Sequence, residues 1–202
     1  MFRKRRAILP LIALLLSTAS YAQEGAQKRA PEANYVNDIR QVDFKNFTYR
    51  RDEDTKESGS VELRNGRQTG SDGAETFLMR VAYGDLTGDG SDEAVVILRG
   101  QNTRISRTLD EVFIYTLKSG KAVELDHFEG GRRGDYILSV ESLGSNFKVE
   151  DKTLILDQAV LRAGEYVPTQ YYTIKYRWNG IQMVEVERSA LKPIPENWKE
   201  EG

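Results

Sequence analysis

Cysteine is absent from the 202 residues, and histidine occurs once, at His127. Without thiols there is no disulfide, no thiolate nucleophile and no thiolate metal site, so packing has to carry the stability. Long apolar stretches are also scarce. The run Ala7 to Leu16 holds ten residues, well short of the roughly 20 that cross a membrane as a helix. No segment keeps a sustained helical period of apolar residues, which argues against a helical fold. Charge of one sign is not concentrated either: 29 Lys and Arg stand against 31 Asp and Glu. That balance disfavours a nucleic-acid partner, which requires a dense positive surface to displace phosphate counterions.

What is present begins with a basic head, Arg3-Lys4-Arg5-Arg6, followed by the apolar run and then by the small residues Ser20 and Ala22. This order predicts a secretory signal peptide over residues 1–22, cut after Ala22. Cleavage leaves 180 residues and moves the formal charge from −2 to −6. The expected location is periplasmic or secreted, with no membrane span after cleavage and no N-terminal cysteine to carry a lipid. Residues 23–40 are polar and read as a flexible N-terminal segment, with a helix or turn within Ala33 to Ile39. A single β-rich domain is expected over 41–191. Residues 192–202, with Pro193, Pro195 and Trp198, read as an extended tail that folds back or docks a partner.

Period-two alternation interrupted by turn residues dominates the domain, which is the pattern of antiparallel strands. Asn65-Gly66 after Val61-Glu62-Leu63 predicts a hairpin, because both residues accept positive φ. Phe77, Met79, Val81 and Tyr83 are expected on one strand face. Ala94-Val95-Val96-Ile97-Leu98 is apolar throughout, as in a central strand covered on both sides. Residues 74–130 and 134–188 repeat one plan of strands and glycine turns, the second half ending in Tyr176-Arg177-Trp178-Asn179-Gly180. Two such units cannot close a propeller of roughly four to eight blades. The expected fold is therefore all-β and mainly antiparallel, with two meander sheets forming a sandwich or an open barrel-like roll and little helix.

One stretch carries chemistry. In Gly84 to Ala94, side-chain oxygens alternate around Gly88 and Gly90, the arrangement a calcium loop uses to gather roughly six to eight oxygens. Asp85, Thr87 and Asp89 would offer side-chain oxygens, Ser91 its carbonyl and Glu93 a carboxylate. An EF-hand is disfavoured because its twelfth position is Val96 and its flanks read as strands. The same acidic hairpin is also stable without metal, since Asp side chains satisfy turn N–H groups directly.

Asp85 to Glu93, entered and left by strands, resembles the calcium loop of FG-GAP or VCBS-type repeats. Asn46-Phe47-Thr48-Tyr49, Leu63-Arg64-Asn65-Gly66, Tyr83 to Leu98 and Tyr176 to Gly180 together resemble landmarks of a family of exported bacterial proteins. The resemblance implies a structural Ca²⁺ and no particular activity. Thr87 stands where the repeat prefers Asp or Asn, Glu93 where it prefers Asp, and the loop occurs once.

The leading expectation is an exported non-catalytic binding or structural module, meeting an envelope or extracellular protein or polysaccharide. The alternative is a secreted hydrolase acting on envelope polymers through the acidic loop with Glu111, Asp135 or His127. The aromatics Tyr166, Tyr171, Tyr172, Tyr176 and Trp178 read either as strand packing or as a stacking surface.

Overall fold

The computed structural model describes residues 36–51, 59–70, 73–102, 107–129, 135–137, 147–160 and 168–195. The strands among these residues form three antiparallel sheets. The central one is a five-stranded meander of β3 (Arg67–Thr69), β4 (Ala74–Gly84), β5 (Glu93–Asn102), β6 (Arg107–Lys118) and β7 (Lys121–Glu129), in that order. A six-stranded sheet lies on one face, with β8 (Asp135–Ile137), β9 (Lys148–Glu150), β10 (Thr153–Val160), β11 (Gln170–Trp178), β12 (Met183–Arg188) and β13 (Lys192–Pro193). In it β8 and β9 pair with successive parts of β10, and β12 and β13 with successive parts of β11. On the other face lies the ribbon of β1 (Thr48–Arg51) and β2 (Gly59–Glu62).

This all-β sandwich agrees with the expected fold class, and the apolar run in β5 explains why it has three layers. Ala94 to Leu98 are all fully buried. Val95 and Ile97, with Val112 and Ile114 of β6, pack against Leu154, Leu156 and Met183 of the six-stranded sheet. Ala94, Val96 and Leu98, with Phe113 and Tyr115, pack against Ile39, Phe44, Tyr49, Val61 and Leu63. Each fully buried aliphatic side chain contributes about 1.5–3 kcal/mol, so neither layer can be removed without exposing a large apolar face.

Several expectations shift in detail. The Asn65-Gly66 turn forms, with φ of 54° and 79°, and Arg64 bridges Arg67 across it. Its arms then part company: β2 pairs with β1 and β3 with β4. The turn is thus the point where the chain changes sheets. The expected common face of Phe77, Met79, Val81 and Tyr83 is broken by a register shift between Leu78 and Arg80. The extra residue puts Leu78 with Val81 and Tyr83 on one side and Met79 with Ala82 on the other. Near the N-terminus the helical element is a 3₁₀ turn at Ile39–Gln41, and Ile39 is buried. Val36 N–H donates to the Gly120 carbonyl, so ordered packing begins inside the stretch expected to be flexible. Past residue 191, β13 still belongs to the sheet, while Trp198 lies outside the described residues.

The central and six-stranded sheets come close together at Gly84, where an added Cβ would stand 2.6 Å from Val149 Cγ1 and 2.7 Å from its Cβ. Gly84→Ala is expected to destabilise the protein by about 1–3 kcal/mol through overpacking, read as a fall in the denaturant midpoint with an unchanged m-value.

Candidate functional site

The acidic loop joins the end of β4 to the start of β5, so strands flank it on both sides. Its sharp bends fall at Gly88 and Gly90, with φ of 83° and 88°, values that side chains with a Cβ rarely adopt. Leu86 anchors one arm by burying its side chain in the core between the sheets.

Glu93 closes the other arm from beneath. Its side chain is fully buried. One carboxylate oxygen accepts the Leu86 and Thr87 N–H groups at 2.8 and 3.0 Å. The other accepts the hydroxyls of Thr87 at 3.4 Å and Thr116 at 3.2 Å. Burial raises the Glu93 carboxyl above its ordinary range, against the lowering effect of these donors. Asp85 and Asp89 also face inward on the turn. Asp85 accepts Gly88 N–H at 2.6 Å on one oxygen and Gly90 N–H at 3.2 Å on the other, and Asp89 accepts Ser91 N–H at 2.8 Å. Asp92 pairs with Arg40, whose guanidinium lies 5.1 Å from the Tyr83 ring centroid.

Lys152, in the β9–β10 turn, brings the six-stranded sheet against the same loop: its Nζ would stand 2.9 Å from a Cβ placed on Gly88. Among the described residues no group of three or more His, Asp or Glu side chains is placed to hold a metal ion. Of the five residues considered as calcium ligands, Asp85, Thr87, Asp89 and Ser91 line the turn. Glu93 lies below it as an acceptor of the turn's own N–H groups.

A second cluster unites residues that sequence spacing left apart. Arg51 of β1 donates to Glu111 of β6 through Nε at 2.8 Å and Nη2 at 2.5 Å. His127 of β7 places Nε2 3.4 Å from the same carboxylate, and its ring stacks on Phe113 at 4.2 Å between centroids. Glu111 and His127 side chains are only 4% and 6% exposed. Burial pushes the Glu111 carboxyl upward, but the close approach of His127 and the hydrogen bonds and charge of Arg51 outweigh it, leaving the group below its ordinary range. Next to it Asp110 pairs with Arg99 at 2.7 and 2.8 Å, and there burial wins, raising the carboxyl. The side chain of Asp135 lies outside the described residues.

The C-terminal aromatics divide between faces instead of forming one surface. Tyr172 is buried beneath Arg188, 4.5 Å from its ring centroid, Tyr176 meets Phe128 at 5.0 Å, and Trp178 packs on the core between the sheets. Tyr171 turns toward Lys192, and Tyr166 lies outside the described residues. Sequence reasoning missed Thr116, Arg51 and Arg40. Each reaches its partner only through strand pairing or layer packing, so no local pattern marks it.

Glu93→Ala strands buried N–H groups and is expected to cost about 3 kcal/mol, measured by chemical denaturation. Glu93→Gln keeps an acceptor and is expected within about 1 kcal/mol of wild type. A raised carboxyl contributes stability below its unfolded value and loses it as pH rises through the folded one. The Gln variant should therefore improve relative to wild type as pH climbs above the ordinary glutamate value of 4.5.

Glu111 has the opposite sign: its lowered value contributes stability above 4.5 that disappears as pH falls toward the folded value. The wild-type advantage over Glu111→Gln should accordingly shrink in melts recorded at progressively lower pH.

Set beside known proteins, the chain matches no family model, no curated protein and no solved structure, and the reading of these clusters rests on their own chemistry.

Proposed function

We propose that the protein is an exported, non-catalytic module of the cell envelope or extracellular space, offering rigid sheets and loops to a protein or polysaccharide partner. The observation that supports this reading is the commitment of the buried acids to the fold. Glu93 accepts the loop's own donors, Asp110 pairs with Arg99, Glu111 with Arg51, and Asp157 accepts the Thr173 hydroxyl at 2.6 Å. A general acid or base has to reach the proton it moves. Glu111 and His127, the residues that favour a hydrolase, are covered by β1 and by Phe113 stacking. Export rests on the basic and apolar N-terminal residues.

A structural Ca²⁺ at the loop is a second reading, favoured by the alternation of Asp85, Thr87, Asp89 and Ser91 around two glycines. It requires carboxylate oxygens to exchange N–H donors for the ion. With Glu93 already closing the loop, calorimetric titration of Ca²⁺ into chelator-treated protein is expected to give no heat and no change in Tm at millimolar concentration. A rise in Tm abolished by Asp89→Ala would establish the calcium reading instead. Hydrolysis of an envelope polymer that disappears in a folded Glu111→Gln variant would overturn the non-catalytic one.

A further inference from the structure

Two Asn-Gly pairs occur in the chain, Asn65-Gly66 and Asn179-Gly180, and the fold treats them in opposite ways. Both occupy exposed turns with glycine at positive φ, 79° at Gly66 and 99° at Gly180. At the first, Gly66 N–H donates to the Lys45 carbonyl at 2.7 Å, which ties down both the proton and the nitrogen. At the second, in the turn between β11 and β12, no hydrogen bond from Gly180 N–H is formed among the described residues. The Asn179 side-chain oxygen accepts two backbone N–H groups, from Ile181 and Gln182, each at 2.9 Å.

We infer that Asn179 is a site of spontaneous covalent modification, deamidation through a cyclic imide, and that Asn65 is protected from it. The Gly180 nitrogen loses its proton to hydroxide and attacks Asn179 Cγ. As the new C–N bond forms, negative charge develops on Oδ1, where the Ile181 and Gln182 N–H groups already point, as the donors of an oxyanion hole do. Water protonates Nδ2 as the Cγ–Nδ2 bond breaks, so the nitrogen leaves as ammonia and hydroxide is regenerated. Water opens the imide at either carbonyl, giving aspartate or isoaspartate. No Cβ obstructs the attacking nitrogen, and nothing within 4 Å would meet one placed on Gly180. The product adds a negative charge at a hairpin tip beside Ile181, which is 79% exposed, and the isoaspartate form lengthens the turn backbone by one carbon. The age of the folded protein thereby becomes a chemical change at a surface position.

The test is incubation of the folded protein in mildly alkaline buffer, followed by peptide mapping with mass spectrometry to score replacement of amide by carboxyl at each asparagine. The expected result is conversion at Asn179 several-fold faster than at Asn65, with the two rates converging in urea, where the Lys45 bond and the Oδ1 donors are lost. Conversion at Asn65 equal to or faster than at Asn179 in the folded protein overturns the assignment. A ratio that urea leaves unchanged overturns it as well, because the difference would then belong to local sequence.

Discussion

Burial of the central sheet on both faces is the constraint from which the other features follow. A strand such as β5, apolar over five consecutive residues, cannot leave either face in water, and its backbone polar groups need partners on both edges. Pairing with β4 and β6 satisfies the edges. The faces require two further layers, which the N-terminal ribbon and the six-stranded sheet supply. The register shift in β4, the switch of sheet at Asn65-Gly66 and the narrow gap at Gly84 are local adjustments to that sandwiching. Each lets one continuous chain reach both sides of the same sheet.

The charged groups are arranged around the same strand. Glu93 stands at its start, beneath the acidic turn. Toward its other end Arg99 meets Asp110, and Glu111 lies opposite Leu98. Buried carboxylates persist only when donors or cations compensate for lost hydration, and here the donors come from neighbouring strands and layers. The balance differs between them: two charged or chargeable partners hold Glu111 below its ordinary value, while Glu93 and Asp110 are raised by burial. Groups so enclosed lock turns and sheet ends more readily than they reach a substrate.

Much of the architecture was legible in the residues. The Ala94 to Leu98 run announced a strand with two covered faces, and the glycine turn at Asn179-Gly180 marked a true hairpin. The acidic turn was legible too, down to its flanking strands, because glycine at positive φ and short acidic side chains leave few other conformations. The role of Glu93 was not legible. Its position in the alternation suggested a ligand at the rim, but the start of β5 directs its side chain into the interior, toward Thr116 on the adjacent strand. Nor did spacing join Arg51, Glu111 and His127, which come from three strands and two sheets.

The sequence by itself determined which of the longer segments become strands, where they turn and which strand lies at the centre, because these depend on alternation, backbone freedom and side-chain shape acting over a few residues. Only the tertiary structure decided which face each strand presents after a bulge, which layer covers it and which donors meet each buried acid. Those outcomes depend on sheet register and layer packing, where one extra residue in β4 reverses the faces that follow and partners come together from segments far apart in the chain.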